Sequence, residues 1–255
     1  MFNSKKSLIV ILLSAAFLSI TAQSMAAGPN VALENAKTDI NNTESLQRGA
    51  KYFVNYCMGC HSAKYVRYSR IGQDLEISDD ELVNNLMFNA SKPFETMNSS
   101  MSSEDALRWF GATPPDLSLI ARSHSTDWLY TFLKSFYKDE SRPLGSNNIL
   151  LPGASMPSVF WELQGGQTPM YNEYEDADGN KVKTFSHFAK VEGEEGSLSA
   201  EEFDGVVRDL VNFLDYIGEP VKAKRITLGK WVIFYLIILF IFAYFLKKEI
   251  WKDVH

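Results

Sequence analysis

Apolar residues recur along this chain in two helical registers and one unbroken run. From Thr43, the segment TESLQRGAKYFVNYC places Leu46, Ala50, Phe53, Val54 and Cys57 at offsets 0, 4, 7, 8 and 11, the stripe of an α-helix with one face turned to a core. Thr43 is its expected N-cap, and the helix runs out at the cysteine pair. The second register, SLSAEEFDGVVRDLVNFLDYIG, opens with Ser199 and Glu202 at capping-box spacing. Phe203, Val206, Val207, Leu210, Phe213, Leu214 and Ile217 mark its apolar face, and Gly218 and Pro220 end it. Shorter helices are predicted over about 78–90, 103–110 and 125–138, separated by the Pro- and Gly-bearing loops GATPPDLS and LPGASMPS. The stretch from Met170 to Phe188, with DGN at 178–180, reads as a β-hairpin. The body is therefore mainly α with one small β excursion.

The unbroken run is WVIFYLIILFIFAYFL, 16 uncharged residues from Trp231 to Leu246, about 24 Å of helix against a hydrocarbon core of roughly 30 Å. Starting at Ile226, with the Lys230 ammonium reaching back to the interface, gives 21 residues and about 31 Å. Trp231 and Tyr235 at one end and Tyr244 and Trp251 at the other are residues that favour membrane interfaces. A buried core helix, the alternative, is rarely apolar on every face for such a length. At the other end of the chain, Lys5 and Lys6 precede an apolar stretch from about Leu8 to Ile20 and small residues at Ser24, Ala26 and Ala27. This is the layout of a secretory signal peptide; an N-terminal anchor is the alternative, and the stretch is short for one. The expected organisation is a signal peptide over 1–26, an exported body over 27–221, a single transmembrane helix over 226–246 and a tail over 247–255. Basic residues flank the span almost equally, so the export signal decides the orientation: body outside, tail in the cytoplasm.

Charge sharpens this division. The whole chain of 255 residues carries −6. Taking away Lys5 and Lys6 leaves −8, taking away the tail leaves −9, and setting aside the four basic residues between 222 and 230 leaves about −13 on the body. Negative clusters at 74–81, 173–178 and 192–195 argue against nucleic acid and for attraction to a basic partner. The four basic residues beside the span are placed to meet lipid phosphates.

The candidate chemistry is concentrated in NYCMGCHS, which holds both cysteines of the chain, Cys57 and Cys60, with His61 directly behind them. Three readings compete: a zinc half-site, a redox dithiol, and covalent attachment of haem. Zinc calls for further ligands, usually thiolates, and no other cysteine exists. A dithiol has no need of the imidazole. Haem attachment uses all three residues, two thiols for the porphyrin vinyl groups and one imidazole for the iron, and export fits because such haem is attached outside the cytoplasm. For the sixth iron position, Met156 is the first candidate. It stands in NNILLPGASMPSVFWELQG with small residues before its sulfur and Pro157 after it, so the loop can approach a flat ring and be held there. His124 and His187 are the alternatives. A thioether ligand favours ferrous iron and raises the reduction potential.

The order of motifs resembles the cytochrome c1 family, the membrane-anchored haem subunit of the cytochrome bc1 complex. The resemblance runs through LQRGAKYFVNYCMGCHS, TPPDLSLIARS, DWLYTFLKSFY, MPSVFWELQG, GVVRDLVNFLDYIGEP, the basic KAKR and the C-terminal span. It implies a cytochrome-c-like fold in which the two long helices cross, with one haem c carried by Cys57 and Cys60, His61 as proximal ligand and Met156 as distal ligand. It further implies a place in a homodimeric respiratory complex III of the inner membrane, with cytochrome b, the Rieske iron–sulfur protein as electron donor, and a soluble c-type cytochrome as acceptor docking on the acidic body. Arg122, after PPDLSLIA, becomes a candidate partner for a haem propionate. The second arginine found just beyond it in some members is replaced here by His124. Extra cysteines that can pair near the ligand loop in some members are absent, so the resemblance leaves that loop to be held by packing, with Pro152, Pro157 and Trp161 as the expected supports. Two further readings remain: a stand-alone anchored cytochrome c, and a haem sensor or peroxidase with an open sixth position.

Overall fold

The structure is a computed structural model that describes residues 31–175, 179 and 181–253; the predicted signal peptide lies outside the described residues. The chain divides into a body ending at Ala223 and a C-terminal unit from Lys224.

Helix α1, Thr43–Tyr52, is capped by Asn42, one residue before the expected Thr43, because the Asn42 side chain accepts the Ser45 amide at 3.0 Å. It continues as one π-helical turn, Phe53–Cys57. Helix α8, Ala200–Gly218, starts at the predicted Ser199–Glu202 capping box, and both reciprocal bonds are present. The two helices cross at Gly49. A Cβ there would lie 2.1 Å from the Asp209 carbonyl oxygen and 2.7 Å from Phe213 Cβ, so only glycine permits this approach. Around the crossing, Phe53 stacks obliquely on Phe213 at 5.6 Å, and Leu46, Ala50, Val207, Leu210 and Val211 are buried with them. Ser45 Oγ donates to Asp209 Oδ1 at 2.6 Å, and the buried Asn212 amide donates to Ser45 Oγ and to the Asp39 carbonyl.

Between the crossing helices lie strand β1 (Ala63–Arg67), α2 (Tyr68–Asp74), α3 (Asp79–Asn85), strand β2 (Thr96–Met97), α4 (Ser103–Phe110), the single turn α5 (Ile120–Ser123) and α6 (Thr126–Lys134). Strands β3 (Phe136–Lys138) and β4 (Ser146–Asn148) follow, then the turn α7 (Trp161–Gln164) and strands β5 (Gly165–Glu175) and β6 (Lys181–Glu195). Each sheet is an antiparallel pair: β1–β2, β3–β4 with Phe136 opposite Asn148, and β5–β6 with Thr168 opposite Ala189 and Glu175 opposite Lys181. The predicted hairpin is present and longer at both ends than expected. The two smaller pairs escape the hydropathy pattern because strands of two to five residues are too short to show alternation.

Helix α9, Lys222–Ile250, is 29 residues long and exposes apolar side chains on every face. It is the one helix among the described residues long and apolar enough to cross a membrane. Of the four basic residues before the apolar run, Lys222 turns back to the Asp215 carboxylate at 2.8 Å.

Candidate functional site

The π-helical turn fixes the orientation of the cysteine pair. The Met58 amide donates to the Phe53 carbonyl at 3.0 Å, five residues back, and the Cys60 and His61 amides both donate to the Cys57 carbonyl, at 3.1 and 2.8 Å. This widened turn brings Cys57, Cys60 and His61 to the wall of one cavity of about 310 Å³. Met156 lines the same cavity, with Leu129, Phe132 and Leu133 of α6 and Leu210 and Leu214 of α8 among the apolar residues around it. Residues about 100 positions apart in sequence thus meet in one slot, and Met156 is the only methionine among its lining residues.

The His61 side is tied down by the PPDLS segment. His61 Nδ1 lies 2.7 Å from the Pro115 carbonyl oxygen, which can only accept, so Nδ1 carries the proton and the lone pair is on Nε2. Burial lowers the imidazole below its ordinary value, against the bond to Pro115, and keeps the ring neutral. The segment itself is held by Asp116, whose carboxylate accepts the Lys64 amide at 2.9 Å and the Ser118 amide at 2.9 Å, while Ser118 Oγ accepts the Tyr65 amide. Burial acts to raise the Asp116 carboxyl, but these bonds outweigh it and hold the group below the usual carboxylate range. The Ser99 hydroxyl completes the clamp by donating to the Gly59 carbonyl at 2.9 Å.

The thiols are free, and burial pushes both up, Cys57 to about 12 with a contribution from Cys60 beside it. A redox dithiol is activated where its thiols are pulled down, and burial here pushes them the other way. No group of three or more His, Cys, Asp or Glu side chains gathers as a metal site among the described residues. An apolar slot with two thiols, a neutral imidazole presenting Nε2 and a thioether is a donor set that fits haem, and neither the zinc nor the dithiol alternative uses all four.

The other sequence candidates are placed differently. Arg122 does not line the cavity: its guanidinium donates to Glu219 Oε2 at 2.8 Å, beyond the end of α8. His187 sits on β6 beside the Ser186 hydroxyl, away from the slot. His124 does line it, stacked on Trp128 with ring centroids 4.2 Å apart. Of the three expected supports of the methionine loop, Pro157 lines the cavity while Trp161 is 64% exposed. The sequence alone assigns no role to PPDLS as the clamp on His61, nor to Asn147 and Asn148, which open NNILLPGASMPSVFWELQG. A pair of adjacent asparagines just before a loop of small residues and prolines was the available signal.

An apolar slot lined by both thiols, His61 and Met156, together with one helix among the described residues long and apolar enough to cross a membrane, fits a membrane-anchored c-type cytochrome. The model of the Cytochrome C1 family matches residues 35–254. The chain is 47% identical over 245 residues to cytochrome c1 of Allochromatium vinosum, covering 96% of this chain and 99% of that one. It is 40% identical over 228 residues to a protein of Nitrosomonas europaea named ammonia monooxygenase gamma subunit (89% and 91% covered), and 25% identical over 237 residues to cytochrome c1 of Rhodospirillum rubrum (82% and 81%). The chain therefore belongs to the cytochrome c1 family, as the membrane-anchored cytochrome subunit of the bc1 complex, carrying covalently attached haem c.

Proposed function

We propose that Cys57 and Cys60 bind the haem through thioether bonds, that His61 and Met156 are its two axial ligands, and that the subunit takes single electrons from the Rieske iron–sulfur protein and hands them to a soluble c-type cytochrome. The observation that carries this reading is the one cavity lined by both thiols, His61 and Met156. When bound, the haem supplies a one-electron Fe(III)/Fe(II) couple. The chain's own residues do the rest. Cys57 and Cys60 would hold the haem by adding across its vinyl groups, each sulfur bonding to one carbon and its proton passing to the other, which would need no oxidant. The Pro115 carbonyl accepts the His61 Nδ1 proton, fixing the tautomer and raising the basicity of Nε2. With haem bound, the Met156 thioether would favour the ferrous state and would leave no place for oxygen chemistry. That is why the electron-carrier reading is preferred to the monooxygenase named for the Nitrosomonas relative.

The body faces the periplasm and the tail the cytoplasm of a single-pass protein in the inner membrane. The subunit works in a homodimeric complex, and its acidic body steers a basic acceptor. Lys224 and Lys230 are left to meet lipid phosphates now that Lys222 is paired with Asp215. In the complex purified from its native membrane, a single quinol-driven turnover should reduce haem c only when the Rieske protein is present, and added soluble cytochrome c should reoxidise it. Reduction of haem c without the Rieske protein, or a haem c that copurifies with neither cytochrome b nor that protein, would overturn the assignment.

A further inference from the structure

The methionine loop runs along the edge of a second, solvent-open cleft of about 1180 Å³. Pro157 and Val159 line both the haem cavity and this cleft, and so does Tyr56 of the π-helical turn; Ser146 and the exposed Trp161 line the cleft as well. On this side, then, the loop has solvent behind it instead of core. No disulfide ties it, since both cysteines of the chain lie in the Cys-x-x-Cys-His turn.

What does hold the loop is a run of three polar residues on β4. Asn148, 0% exposed, accepts the Leu150 and Leu151 amides at 2.9 and 3.2 Å through Oδ1, and its Nδ2 donates to the Phe132 carbonyl of α6 at 2.8 Å. Asn147 Oδ1 accepts the Gly153 amide at 2.8 Å, and its Nδ2 donates to Asp139 at 3.0 Å. Ser146 Oγ accepts the Ser158 amide at 3.2 Å. Arg142 adds a bond from Nη2 to the Gly153 carbonyl at 2.9 Å. The anchored positions, 150, 151, 153 and 158, bracket Met156 on both sides. Gly153, at φ +82°, makes the turn between them.

We infer that Ser146, Asn147 and Asn148 are positioning residues for the Met156 sulfur. They hold the loop closed on the haem through side-chain bonds to main-chain amides, in place of a covalent staple and alongside the packing of Leu150, Met156 and Val159 on the core. They thereby set how much of the time the sixth position is filled. The inference rests on Met156 being the ligand, and the controls below keep the two claims apart.

The test uses the full-length membrane protein with haem attached, carrying Asn147→Ala, Ser146→Ala, Ser146→Thr or, as the reference for a lost ligand, Met156→Leu. Retention of haem through acidified acetone reports that each variant has folded and been loaded. The readouts are the long-wavelength sulfur-to-iron charge-transfer band of the ferric protein, the midpoint potential, and the rate of carbon monoxide binding to the ferrous protein. Losing one anchoring bond to this loop shifts a closed–open equilibrium by roughly tenfold. Asn147→Ala and Ser146→Ala should therefore bind carbon monoxide about tenfold faster than the parent, weaken the band and lower the potential part of the way towards Met156→Leu. Ser146→Thr, which keeps the hydroxyl, should behave as the parent. If Met156→Leu moves all three readouts while Asn147→Ala and Ser146→Ala move none, the positioning role is wrong and the ligand stands. If Met156→Leu itself moves none, the ligand assignment has failed. Should Asn147→Ala carry no haem, Ser146→Ala against Ser146→Thr, at the other end of the loop, decides alone.

Discussion

The two sides of the haem slot are built on different physical terms. The histidine side is continuous with the core: Cys57 closes the helix that crosses α8 at Gly49, and the Pro115 carbonyl that orients His61 is itself held by Asp116 and Ser118 against β1. The methionine side is a loop with a solvent-open cleft behind it, attached by side-chain bonds from β4. Attachment of haem and the proposed His61 ligand therefore depends on the whole fold, whereas the proposed Met156 ligand depends more on local bonds from β4. A loop of that kind opens at lower free-energy cost than the core it faces. Damage to the first side should remove the haem; damage to the second should leave it bound and change its potential.

Four perturbations bear on the difference, in order of decreasing size. Gly49→Ala puts a Cβ within 2.1 Å of the Asp209 carbonyl and must push the helices apart. It should cost roughly 3 kcal/mol or more and sharply reduce haem attachment, measured as covalent haem per polypeptide together with denaturant unfolding. Full haem content and parental stability would show that the crossing is not what supports the thiols. Asp116→Ala removes the acceptor for the Lys64 and Ser118 amides and should destabilise by about 1–3 kcal/mol. Unfolding curves measure that loss, and an altered potential should accompany it as the Pro115 carbonyl loses its placement.

The pH dependence follows in sign from the same residue. The Asp116 carboxyl is held below its ordinary value in the folded protein, so the folded state releases its proton more readily than the unfolded chain. Its stabilising contribution is complete above the unfolded value of about 3.9 and is lost as pH falls through the lower folded value. The stability difference between parent and Asp116→Asn should accordingly be constant near neutrality and shrink below about pH 4. A difference that grows on acidification would contradict this. The smallest effect belongs to Arg48, which pairs with Asp209 at 2.5 Å beside the Gly49 crossing but is half exposed. Arg48→Ala should cost under about 1 kcal/mol and leave haem content and potential unchanged, marking where the sensitive part of the crossing ends.

Much of the histidine side was legible in the sequence. Leu46, Ala50, Phe53 and Val54 announce α1 by their spacing, and the Ser199–Glu202 box and the Phe203-to-Ile217 stripe announce α8, because both helices bury one continuous face. The cysteine pair and His61 are adjacent in the chain, so their partnership needs no tertiary knowledge. The π-helical turn was not legible: a helical stripe looks the same through Cys57 whether its last turn closes over four or five residues. On the methionine side only the ligand candidate could be read. Its support depends on Ser146, Asn147 and Asn148 lying on β4, a strand of three residues whose pairing with Phe136–Lys138 leaves no hydropathy signal. Expectation turned to Pro152, Pro157 and Trp161, the last of which the fold leaves in solvent. Arg122, a propionate candidate by resemblance alone, pairs in the structure with Glu219, 97 residues on, a partner that sequence spacing does not reveal.

The axial pair is tested most directly by near-infrared magnetic circular dichroism of the ferric protein in its native membrane, since that signal distinguishes the ligands of a low-spin haem. The account predicts the signature of one imidazole with one thioether, lost in Met156→Leu. A signature of two imidazoles, which His124 in the cavity wall is placed to supply, or a high-spin iron with an open position, would contradict it.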